Sequence, residues 1–190
     1  MTGIPPSRAG VFALISLVFL AGCGYRFTVG GPLPAGLSSV AVTVLENRTA
    51  EIGAEQIVTN ELIYEFTRNG HPVRGVEAAD GVLSGTVAGM NVETVSRAGE
   101  ITSLERRITA SVRLRLVNKA GERLWSAADV QASEAYAVFS DKVATDTAKR
   151  EAIRTLARRL AEQVYGRIRL TAGRSPSEEG EAGSAPEPDG

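Results

Sequence analysis

The fold class predicted by this sequence is α+β: a two-layer sandwich in which two helices pack on one face of a mostly antiparallel four-stranded sheet. Three changes of pattern point to it. A short β-branched run is followed by a segment in which apolar residues recur at threes and fours. The middle of the chain then alternates apolar and polar residues. The C-terminal third returns to helical spacing, with an apolar residue at every fourth position. The element order is therefore β-α-β-β-β-α.

Each element has its own signal. Ser39-Val40-Ala41-Val42-Thr43-Val44-Leu45 reads as the first strand, and Glu46-Asn47-Arg48-Thr49 breaks it with residues of capping type. From Gly53 to Asn69, Ala54, Ile57, Val58, Leu62, Ile63 and Phe66 define one helical face, and Asn69-Gly70 supplies the stop. Val82 to Val92 and Ile108 to Val117 follow as strands. In the second, Ile108, Ala110, Val112, Leu114 and Leu116 alternate with Arg107, Thr109, Ser111, Arg113 and Arg115, the pattern of a strand buried on one face. Asn118-Lys119-Ala120-Gly121 is a turn, and Arg123 to Tyr136, with Trp125, completes a meander. Ala144, Ala148, Ala152, Leu156, Leu160, Val164 and Ile168, flanked by Ile153, Ala157 and Ala161, make a long helix whose stripe covers the sheet.

The N-terminus fixes the compartment. Ala9 to Leu20 has the length of a signal-peptide apolar region and is too short to span a bilayer of roughly 20 helical residues. It ends at Leu20-Ala21-Gly22-Cys23, which resembles a bacterial lipoprotein signal with cleavage before Cys23 and acylation of its sulfur. Cys23 is the one cysteine of the chain, so the mature protein has no disulfide and depends on a packed core. Several acyl chains, each methylene contributing about 0.8 kcal/mol, make the anchor effectively permanent. Gly24, where an Asp would favour retention at the inner membrane, points to the outer membrane by the same resemblance.

Removing residues 1–22 leaves 168 residues, enough for one domain. Residues 23–38, with Gly30-Gly31-Pro32-Leu33-Pro34, read as a lipid-proximal linker, residues 39–170 as the domain and residues 171–190 as an acidic disordered tail. The tail carries one Arg against five Asp and Glu, whereas residues 23–170 carry 19 Lys and Arg against 17 acids. A folded part so mildly basic gives no reason to expect a nucleic-acid partner.

The open face of the sheet presents Arg107, Arg113 and Arg115. Arginines can simply keep such a face soluble. Alternatively, three guanidiniums about 6.5 to 7 Å apart along one strand face form a fork for phosphate or carboxylate, extended by Arg97 and Arg106. Catalysis has little support. The one histidine, His71, lies in a turn, Glu100 and Glu105 lie in a polar loop, and no phosphate-binding loop or metal-ligand spacing is present. No catalytic residue, metal or cofactor is expected.

Taken in order, Cys23-Gly24-Tyr25-Arg26, Leu33-Pro34, Val40 to Asn47, Ala79-Asp80-Gly81-Val82-Leu83-Ser84-Gly85, Gly121-Glu122-Arg123-Leu124-Trp125 and Glu151-Ala152-Ile153 resemble the LPS-assembly lipoprotein LptE family. The resemblance runs from Cys23 to about Leu170, and its weight lies in the order and spacing of short motifs. It implies an outer-membrane lipoprotein that sits as a plug and assembly partner inside the LptD β-barrel and contacts lipopolysaccharide. It carries no ligand residue across, and the acidic tail departs from it. The alternative is a lipoprotein binding module for glycan or lipid, or an accessory subunit of a different outer-membrane complex, since small α+β domains serve many roles.

Overall fold

The computed structural model describes residues 30–95 and 104–172. After a 3-10 turn at Pro34–Gly36, the elements are β1 (Val40–Val42), β2 (Glu46–Asn47), α1 (Ala54–Arg68), β3 (Gly81–Val95), β4 (Glu105–Asn118), β5 (Arg123–Ala137) and α2 (Lys142–Ala172). The α+β sandwich expected from the periodicities is the fold observed. β3, β4 and β5 form an antiparallel meander, while β1 and β2 lie one after the other along the free edge of β3 and pair with it in parallel.

The first strand differs from its reading. Pairing stops at Val42 because the chain dips to bury Leu45, whose N–H donates to Thr59 Oγ1 of α1 at 3.1 Å. Glu46 and Asn47 then rejoin β3 rather than capping a helix. Asn47 closes a side-chain turn by accepting from the Thr49 N–H at 2.9 Å, and α1 starts from Gly53, in the left-handed region at φ 84.

Both helices lie on one face and run in the same direction. Their ion pairs advance together: Glu51 with Lys149, Glu61 with Arg158, and Arg68 with Glu162. Val58, Leu62 and Phe66 of α1, and Ile153, Leu156, Leu160, Val164 and Ile168 of α2, close over Leu83, Val87, Ile108, Val112, Leu116 and Val130 of the sheet. The stripe on α2 is buried from Ala152 onward. Ala144 and Ala148 are only half-buried, Ala148 still packing against the core.

The core also begins earlier than the linker reading allows. Leu33 is 1% exposed and Pro34 is buried, with the 3-10 turn packed against α2. The hydroxyls of Ser38 and Ser39 donate to Asp80 at 2.5 and 2.7 Å, and Lys119 donates to the same carboxylate at 3.2 Å. These bonds, the two serines first, hold the Asp80 carboxyl well below the usual carboxylate range and tie the chain before β1 to the start of β3.

Candidate functional site

The sheet face turned away from the helices has no covering layer among the described residues. Strand alternation places Ser84 and Thr86 of β3, Arg113 and Arg115 of β4 and Ser126 of β5 there, opposite the buried series Leu83, Val112, Leu114 and Leu116. Where β2 meets β3 and β4, a shallow depression of about 460 Å³ is lined by Thr43, Val44, Glu46, Ser84, Gly85, Thr86, Arg113, Leu114 and Arg115.

Two irregularities shape this depression. β3 bulges between Val87 and Gly89, and β5 has one additional residue between its partners of Val112 and Leu114, so Arg113 faces Thr86 on one side and has no register partner on the other. Bulges re-aim side chains and sharpen local twist. Gly85 is required beside them, because a Cβ there would collide with the carbonyl oxygen of Arg113. Arg115 Nε donates to Ser84 Oγ at 3.2 Å, whereas the Arg113 guanidinium makes no hydrogen bond or ion pair with any described residue.

Among the described residues, Glu46 is the one carboxylate lining the depression, and it is already engaged. Arg48 donates to it at 3.0 and 3.2 Å and Thr86 at 3.3 Å. The Arg48 hydrogen bond leads in holding the Glu46 carboxyl below its ordinary range, and the same contact raises Arg48. The local balance is therefore cationic: Arg48 is matched by Glu46, and Arg113 and Arg115 are left to meet an anion.

The arginines of the sequence reading separate here. Arg113 and Arg115 project side by side, two residues apart. Arg107 shares their face but precedes Arg113 by six residues, about 20 Å of strand, and is level with Glu93. The equal spacing expected for three guanidiniums therefore holds for two. Arg106 pairs with Tyr136, a buried residue of the helix side, so it belongs to the opposite face. Arg97, Glu100 and Cys23 lie outside the described residues. Sequence reasoning missed Arg48 and Glu46, because a two-residue strand has no periodicity to read. Among the described residues, no three His, Cys, Asp or Glu side chains gather to hold a metal, and no helix is long and apolar enough to cross a membrane.

Fold and face together define a class: a small α+β domain with one helical layer and one open, cationic sheet face. The chain belongs to the LptE lipopolysaccharide-assembly family, whose model matches residues 37–168. This is a family of non-enzymatic lipoproteins that serve lipopolysaccharide assembly and partner the transport machinery, with the outer membrane as their expected location. No curated protein matches the chain. Among solved structures, a lipoprotein from Caulobacter crescentus shares the fold at TM-score 0.51 and 18% identity, covering 72% of this chain and 93% of its own. A minor lipoprotein from Acinetobacter baumannii aligns at TM-score 0.47 and 18% identity over 70% of this chain and 92% of its own. Lipoprotein B from Nitrosomonas europaea aligns at 0.49 and 15% over 80% and 94%.

Proposed function

We propose that this protein is an outer-membrane lipoprotein, acylated at Cys23, that partners and plugs an LptD-like β-barrel. In this reading it meets lipopolysaccharide or the acidic lumen wall through Arg113 and Arg115, helped by Arg107 of the same strand and by Arg97, which lies between β3 and β4 in sequence. The observation that carries the reading is the Arg113 guanidinium, which has no partner among the described residues, beside Arg115 on an otherwise Ser- and Thr-rich face, within a chain of the LptE family. Lipopolysaccharide bears phosphates and carboxylates, and planar guanidiniums bind such groups with paired, charge-assisted hydrogen bonds. A strand fixed on both sides holds these donors more rigidly than a loop does.

The test is the double variant Arg113→Glu with Arg115→Glu. Both side chains are exposed, so the fold should survive, while recovery with the barrel in detergent or binding of purified protein to lipopolysaccharide should fall about tenfold or more. Lysine at both positions should give intermediate values, since it keeps the charge and loses the planar fork. If the double glutamate variant performs normally in both assays, the two arginines only solubilise the face.

A further inference from the structure

The N-terminal segment is built into the domain well before β1. Gly30 has φ 82, and a Cβ on it would collide with the Asn69 carbonyl oxygen, while a Cβ on Gly31 would collide with the Arg169 guanidinium. Arg169 lies 5.8 Å from the Tyr165 ring centroid, and the Tyr165 hydroxyl lies 3.0 Å from His71 Nε2. The two glycines thus pass between the last turns of α1 and α2. Gly30 follows Cys23 with only six residues between them, so the tether reaches at most about 25 Å.

That end of the domain carries an unusual group of side chains. The last two turns of α2 expose Arg167, Arg169 and Leu170, with Leu170 74% exposed. No carboxylate lies on those turns. Arg167 makes one long contact, 3.4 Å, to the Asp129 carbonyl. Arginines at a helix C-terminus complement the dipole without any partner. The dipole gives no reason for an exposed leucine between them. The tether itself reads Tyr25-Arg26-Phe27, an aromatic and cationic composition favoured at the membrane interface.

We propose that this end of the domain rests on anionic phospholipid headgroups, with Arg167 and Arg169 against phosphates and Leu170 dipping below them. The inference rests on the lipid anchor at Cys23. On a bilayer without the barrel, this interface holds α2 by its C-terminal end, and the start of that helix, about 40 Å away at Val143, stands clear of the bilayer.

The test uses the acylated full chain in phosphatidylethanolamine vesicles with or without phosphatidylglycerol. A fluorophore is placed on Thr171→Cys or Val143→Cys, and brominated acyl chains serve as quencher. Fluorescence should be lost at position 171 and retained at position 143, and the loss should shrink without phosphatidylglycerol and in Arg167→Glu with Arg169→Glu. Leu170→Gln, which leaves the glycine contacts in place, should reduce the loss as well. An equal response at both positions, or a loss at 171 indifferent to anionic lipid and to these variants, overturns the proposal. Intact mass of the same sample reports acylation separately. An unacylated chain refutes the anchor, and headgroup contact is then judged by sedimentation of that chain with the same vesicles, where the dependence on phosphatidylglycerol must still appear.

Discussion

His71 shows how a single polar residue is fixed by the elements around it. It follows α1, and its ring lies against Tyr165 of α2 and near Phe66, which meets Tyr165 edge to face at 5.5 Å. Burial first, and the charge of Arg169 second, push its pKa below 6.5. The unfolded chain therefore takes up a proton at a pH where the folded chain does not. Its contribution to stability is full above about pH 6.5 and is lost as pH falls below that value. The difference in unfolding midpoint between wild type and His71→Gln should accordingly be flat from about pH 8 to 7 and should shrink as pH falls toward about 5. A difference independent of pH would show that the ring's titration contributes nothing to folding. The sequence marked His71 as a structural turn residue rather than a catalyst, but it could not supply Tyr165, which lies 94 positions away and beside the apolar stripe rather than on it.

At the scale of elements, α2 supplies the packed face on which the sheet depends. Leu156 is fully buried and Arg158 projects from the opposite side, reaching Glu61 only at 3.9 Å. Leu156→Ala should destabilise the domain by about 2 to 5 kcal/mol, because the cavity adds to the lost transfer energy. Arg158→Ala should change stability by no more than about 0.5 kcal/mol, as expected for an exposed site. Comparable shifts in chemical denaturation for the two variants would place the stripe on the wrong face. This helix, α1 and the three meander strands were legible because burial imposes a period on them. Two features left no periodic trace. The parallel pairing of Glu46 and Asn47 depends on a backbone dip around Leu45, and burial of Leu33 depends on α2, which is distant in sequence. The bulges flanking Arg113 were hidden for a related reason, since alternation within β4 continues undisturbed while the irregularity falls on its neighbours.

For the whole molecule, the consequence of this architecture is that anchoring and folding are separable. The core begins at Leu33, and its first polar ties are those of Ser38 and Ser39 to Asp80. No described contact of the domain requires Cys23. Because the β1-α1-β3 crossover and the meander place both helices on one face, the opposite face has no covering layer among the described residues. Cys23→Ala should therefore leave the thermal unfolding midpoint of the purified domain unchanged while abolishing acylation. In cells the variant should persist as an uncleaved precursor or be lost from the outer-membrane fraction. Intact mass of the native protein decides the premise directly: it should show Cys23 as the modified N-terminal residue, and an unmodified N-terminus at another position would sink the anchor assignment. If Cys23→Ala instead lowered the unfolding midpoint of detergent-free protein, the tether would have to contribute to the fold itself, and separating membrane attachment from the open sheet face would be wrong.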